Sequence, residues 1–218
     1  MAETIQQIAF WAVPVLVAII FHEVAHGWVA YRLGDDTAKR MGRLTLNPIS
    51  HIDLFGTILM PGFLIVVGAP FVFGYAKPVP VNFQNLHRPK RDMIWVAGAG
   101  PVTNILLAAA SLYLLLLIQK SAGLAPDGVA VPLGRMAQYS VSINVMLAAF
   151  NLLPLPPLDG GRVMVGLLPN PYSSIVAHAE PYGFLIILLL LMTHTLDFFM
   201  EPFVYFIAQL LKALVIGQ

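Results

Sequence analysis

The residues with the clearest chemistry are His22-Glu23-Val24-Ala25-His26. On an α-helix, residues four apart share a face, so both imidazoles reach one metal ion. The glutamate beside them is placed to take a proton from water at that metal. The surrounding stretch, from about Ile5 to about Leu33, is apolar. Ionisable side chains crowded into one turn of such a helix are costly, and they usually mark function. The plainer reading is a pair of core histidines bonded to carbonyls with Glu23 as counter-charge, and the spacing favours the metal over it.

Zinc held by two histidines needs a third protein ligand and an open position. The carboxylate candidates are Asp159, Glu180 and Glu201. Asp159 stands out because Pro154, Pro156, Pro157, Gly160 and Gly161 surround it. Prolines stop a helix and glycines permit tight bends. Irregular backbone at membrane depth is tolerated only where it is buried in protein or lines a wet cavity. The alternative for Asp159 is a cap on a following short helix. Glu180 and Glu201 each precede a proline near an expected membrane edge, where a solvated carboxylate needs no partner.

The elements that must position these groups belong to a membrane protein. Of 218 residues, 58% are hydrophobic and 11% charged, against about 25% charged in an ordinary soluble domain. A net charge of +1 gives no case for nucleic acid, and the absence of cysteine excludes disulfides and thiolate metal sites. The start, Met1-Ala2-Glu3, has no basic n-region, so the first apolar run is expected to be a retained helix. Pro14 is expected to kink it. Further helices are expected from about Asp92 to Ile118 and from about Leu133 to Leu153. Two more apolar runs follow, about 182–192 and 203–216, the second short for a crossing. Gly56 to Phe73 is apolar but broken by Pro61, Gly62, Gly68 and Pro70. The expected fold is an all-α polytopic membrane protein: a three-helix catalytic core over about 5–165, a re-entrant segment over about 56–73, and two C-terminal helices within about 182–216. All of 1–218 forms one domain in this reading.

An H-E-x-x-H in a membrane helix followed far downstream by N-x-x-P-x-x-x-L-D-G, here Asn151 through Gly160, resembles the site-2 protease family of intramembrane zinc metalloproteases. Gly98-Ala99-Gly100-Pro101-Val102-Thr103-Asn104 is also similar to that family's middle core helix. The likeness spans about Ala12 to Arg162. It implies one zinc ion bound by His22, His26 and Asp159, with Glu23 as catalytic base. It also implies that Asn151 holds the substrate or the transition-state oxygen. The chain is too short for the PDZ domains of some members, so any substrate filter is expected within the membrane part.

Arg32, Lys39, Arg40 and Arg43 follow the first helix, and Lys77, Arg88, Lys90 and Arg91 precede the second. These are eight of the twelve Lys and Arg residues. Basic loops mark the cytoplasmic side. If both are cytoplasmic, the segment between them must enter the membrane and return. The third core helix then runs back toward the histidines and delivers Asp159 to them. His51 and Asp53, in the polar segment, are expected to form a local hydrogen-bonded turn in preference to approaching the metal. His87, His178 and His194 are expected at membrane edges.

The expected activity is zinc-dependent hydrolysis of peptide bonds in or near transmembrane segments, in regulated intramembrane proteolysis or signal-peptide clearance. The expected partners are transmembrane or membrane-tethered protein substrates and the lipid bilayer, with no nucleic acid. The expected location is the plasma or inner membrane of a prokaryote, with the site nearer the cytoplasm. The alternatives are a membrane metal-binding or transport protein, which would not need Glu23, and an inactive scaffold for transmembrane helices, against which the intact ligand set argues.

Overall fold

The computed structural model describes residues 2–68, 74–120 and 127–217, with side chains from Phe10 in the first stretch and from Gly128 in the third. Its long elements are α1 (Ala2–Arg32), α4 (Pro89–Lys120) and α5 (Asp127–Leu152). The shorter ones are α2 (Thr37–Arg40), α3 (Met60–Val66), α6 (Asp159–Leu167), α7 (Tyr172–His178), α8 (Glu180–Met192) and α9 (Leu196–Leu211). No strand occurs among the described residues.

Helices α1, α4 and α5 form the core. His22 meets Asn104 and His26 meets Val96, so the numbers rise on α1 as they fall on α4, and the two helices are antiparallel. Asn104 bonds Asn144, and Ser111 bonds Ser140, so α4 and α5 are antiparallel too. It follows that α1 and α5 run the same way, and the chain leaving α5 emerges at the histidine end of α1. Close approach is allowed by small residues at the contacts: Ala18, Ala30, Ala97, Ala108, Ala148 and Ala149 are all buried.

Among the described residues, three helices are long and apolar enough to cross a membrane: Phe10–Arg32, Pro89–Lys120 and Leu196–Ile216, while α7 and α8, bent by 66° at their junction, would make a fourth if they act as one span. Large apolar side chains such as Trp11, Trp28, Leu106, Tyr113 and Tyr205 lie exposed on these helices, as lipid contact requires. Helix α5 has the length, at 26 residues. Its polar Ser140 and Asn144 turn inward onto α4.

Two boundaries differ from expectation. Helix α5 begins at Asp127 and not near Leu133, because Pro132 falls early in the helix, where few intrahelical bonds are lost. The last apolar helix begins at Leu196 and not at 203. Pro202 lies inside it, and its buried face, Leu196, Met200, Ile207 and Leu211, is fixed in the main apolar core. With its terminal turn the helix is 21 residues long, so it is not short for a crossing. Pro14 sits inside α1 without ending it.

The expected re-entrant stretch forms a π-helical turn, Leu54–Leu59, leading into α3. Thirteen residues in helix rise only about 20 Å, short of the roughly 30 Å of a bilayer core. The ends of the stretch are tied together: Tyr75 N–H donates to Gly56 C=O at 3.0 Å, and the Thr57 hydroxyl donates to Tyr75 C=O at 2.9 Å. The chain therefore returns to where it left. Residues 69–73, the end of the expected segment, and 121–126, in the loop before α5, lie outside the described residues.

Candidate metal centre

His22 and His26 lie on one face of α1 with their Nε2 atoms 3.0 Å apart. Asp159 is the first residue of α6. Its Oδ2 is 3.1 Å from His22 Nε2 and 3.2 Å from His26 Nε2. Helix α6 can start there because Gly160 and Gly161 lie against the backbone of Leu152, Leu153 and Pro156, where a β-carbon would collide. Asp159 does not cap this helix; Leu158 occupies the cap position.

The residues fit a metal ion. The three atoms form a triangle with edges of 3.0, 3.1 and 3.2 Å. A tetrahedral centre with bonds of about 2.0–2.1 Å has ligand separations of about 3.3 Å. Asp159 Oδ2 is buried and receives no directed hydrogen bond despite its two imidazole neighbours. Each imidazole spends its other nitrogen elsewhere: His22 Nδ1 on Asn104 Oδ1 at 2.6 Å, and His26 Nδ1 on Val96 C=O at 2.7 Å. Both partners are acceptors, so each Nδ1 carries the proton and each Nε2 presents a lone pair to the shared point. Gly100 on α4 opens the space, since a β-carbon there would lie 2.5 Å from both Nε2 atoms.

A cavity of about 200 Å³ opens beside this triangle, with Glu23, Asn151 and Arg162 on its wall. Glu23 is placed by a loop and not by its own helix. Val79 N–H donates to Glu23 Oε2 at 2.8 Å. Because Pro78 and Pro80 carry no N–H, Val79 has the one backbone donor of that tripeptide. The loop can lie this close to α1 because Gly27 faces Val79 and Leu44. Asn151 points one amide hydrogen at Leu147 C=O, 3.0 Å away, one turn back in α5. The second hydrogen of that amide is free of this bond.

The other expected candidates fall elsewhere. Glu180 pairs with Arg162 at 3.1 Å on the surface, and Glu201 is exposed on α9. His51 is buried, with Nε2 against Thr45 C=O at 2.8 Å and its own carbonyl accepting from Lys77 N–H. Asp53 accepts from Phe55 and Gly56 N–H and caps the π-turn. Both thus take the local structural role. His87, His178 and His194 are exposed. Gly100 and Asn104 enter the sequence reading only within the Gly98 to Asn104 likeness, with no role of their own, and Val79 and Arg162 have no role in it. Asn104 carried a signal as a polar residue within an apolar helix. Val79 acts through its backbone and carried none.

The model for Peptidase family M50 matches residues 10–193, which takes in His22, Glu23, His26 and Asp159. This chain belongs to peptidase family M50, the site-2 protease family. It is 41% identical over 184 residues to YwhC of Bacillus subtilis (strain 168), which is named a candidate zinc metalloprotease; the match covers 84% of this chain and 80% of the relative. It is 30% identical over 210 residues, 94% of this chain and 77% of the relative, to Rip2 of Mycolicibacterium smegmatis. It is 28% identical over 167 residues, 77% of this chain and 73% of the relative, to MJ0611 of Methanocaldococcus jannaschii. Both carry the same designation as YwhC. No solved structure matches. Family and apolar helices together make the chain a multi-pass membrane protein.

Proposed function

We propose that this chain is a zinc metalloprotease that cuts peptide bonds within or near the transmembrane segments of membrane proteins. The observation that carries this reading is the convergence of His22, His26 and Asp159, whose ligand atoms all lie within 4.8 Å of one another. Two of them sit on a helix long and apolar enough to cross a membrane. Zinc, when bound there, would lower the pKa of water and polarise a carbonyl group.

The protein's own groups supply the remaining steps. Glu23 takes a proton from the attacking water and passes it to the leaving amine. Val79 N–H holds one oxygen of the Glu23 carboxylate, and Glu23 lines the cavity. Asn151 directs its second amide hydrogen to the oxygen of the scissile carbonyl as charge develops. A substrate helix must unwind at the site, because helical hydrogen bonding shields its carbonyls from attack.

The basic residues that flank the site in sequence, Arg32 to Arg43 and Lys77 to Arg91, support a cytoplasmic position for it. Bacterial and archaeal relatives support a prokaryotic membrane. The substrates in this reading are transmembrane or membrane-tethered proteins, signal-peptide remnants among them. The test is cleavage of a single-span substrate by the purified chain in proteoliposomes, before and after chelation. Cleavage that stops on chelation and returns with zinc supports the reading. Cleavage that persists in metal-free protein overturns it.

A further inference from the structure

Asn104 and Asn144 are fully buried in the middle of the helical core. Amides in such a place are costly unless every bond is made, and here the bonds form a chain with one direction. Asn104 Oδ1 faces His22 Nδ1 at 2.6 Å. Its Nδ2 donates to Ala18 C=O at 3.2 Å and to Asn144 Oδ1 at 2.8 Å. Asn144 Nδ2 donates in turn to Ser140 C=O at 2.9 Å and to the Ser140 hydroxyl oxygen at 3.2 Å. Turning the Asn104 amide over would set its oxygen against the Ala18 and Asn144 oxygens. Its orientation is therefore fixed by α1 and α5 together.

That orientation has a consequence for His22. An amide oxygen only accepts, so the imidazole proton stays on Nδ1 and the lone pair on Nε2. The contact is also shorter than an ordinary N–H···O bond, at 2.6 Å. His26 obtains the same service from a backbone carbonyl, which no side-chain substitution removes. We propose that Asn104, anchored by Asn144, is a positioning residue that fixes the tautomer and ring orientation of His22 and so sets the affinity of the metal centre. The inference rests on the proposed metal centre. It adds a role for α5 there beyond carrying Asn151 and leading to Asp159: through Asn144, the third core helix also governs how the first presents its ligand.

The test measures zinc affinity by competition with a chromophoric chelator, and thermal stability of the metal-free protein, both in detergent. Asn104→Leu removes the acceptor and should weaken zinc by about 10–100-fold, the range for loss of a group that orients a ligand. Asn104→Asp gives up both donated bonds but keeps an acceptor for His22, so its zinc affinity should fall between those of the parent and Asn104→Leu. If Asn104 serves only to join helices, the two variants lose stability alike and their zinc affinities stay equal. Parent-like zinc affinity in Asn104→Leu, or an Asn104→Asp as weak as Asn104→Leu, overturns the proposal. Should Asn104→Leu not fold, Asn144→Leu decides: it keeps the His22 contact but removes the anchor, and should weaken zinc several-fold. Unchanged affinity there also overturns it. Failure of the metal centre itself reads differently, because the parent protein would then bind no zinc.

Discussion

Val79 and Glu23, far apart in sequence, are joined by a 2.8 Å hydrogen bond from the backbone N–H of one to the carboxylate of the other. The loop from Lys77 to Val81 thus sets where the proposed base points. A glutamine keeps an oxygen to accept that N–H but cannot take a proton. Glu23→Gln is therefore expected to retain fold and zinc while cleavage falls by about 10²–10⁴-fold, the usual worth of a general base. Near-parental cleavage of a membrane substrate by this variant would remove Glu23 from the role.

Gly100 and Gly98 make a matched pair on α4. A β-carbon at Gly100 would press on both histidine Nε2 atoms at 2.5 Å, whereas one at Gly98 meets nothing within 4 Å. Gly100→Ala is expected to lose most zinc and to destabilise the core by about 1–3 kcal/mol, as overpacking does. Gly98→Ala is expected to match the parent in both zinc content and melting temperature. Equal behaviour of the two variants would mean that α4 does not lie against the ligands as described.

Asn85 donates to Asp35 at 2.9 Å and to the Thr37 hydroxyl at 3.4 Å, so the loops before and after the hairpin touch. The chain has no cysteine, so single introduced thiols report cleanly. Thr37→Cys and Asn85→Cys are expected to react with an impermeant reagent from one side, the cytoplasmic one, and Asp127→Cys from the other. Labelling of the first two from opposite sides would contradict the hairpin.

Asp35 is buried between these loops. Burial works against its charge. Hydrogen bonds from the Thr37 side chain, Asn85, Asn82 N–H and Thr37 N–H outweigh that effect and hold its carboxyl below the ordinary carboxylate value. A group depressed in the folded state stabilises it above the unfolded pKa, about 3.9. That contribution is lost as pH falls through the folded value. The melting temperature is expected to drop below about pH 4, and Asp35→Asn is expected to lower stability at neutral pH and flatten this acid limb. An acid limb of unchanged depth in Asp35→Asn would assign it to other carboxylates.

The candidate ligands were legible in the sequence because their cost is written in their surroundings. His22, Glu23 and His26 stand out in an apolar run, and Asp159 follows a run of prolines, Pro154, Pro156 and Pro157, that no regular helix would hold. The return of α5 to the histidine side followed from charge bias, and the antiparallel packing agrees with it. What stayed hidden depends on pairing across helices. Nothing local marks Asn144 as the anchor of Asn104, and a backbone donor such as Val79 has no side-chain signature. The start of α9 was misplaced because Pro202 reads locally as a stop, while packing of Leu196 and Met200 into the core carries the helix through it.

The most direct measurement is zinc per protein, with cleavage rate, in detergent-purified Asp159→Ala, Glu180→Ala and Glu201→Ala. Asp159 Oδ2 touches both histidines, Glu180 pairs with Arg162, and Glu201 is exposed on α9. Removing a true ligand leaves two imidazoles and far weaker binding. Asp159→Ala is expected to lose zinc and activity together, while both glutamate variants keep one zinc per chain and cleave normally. Full zinc occupancy in Asp159→Ala, with loss in either glutamate variant, would contradict the His22, His26 and Asp159 centre.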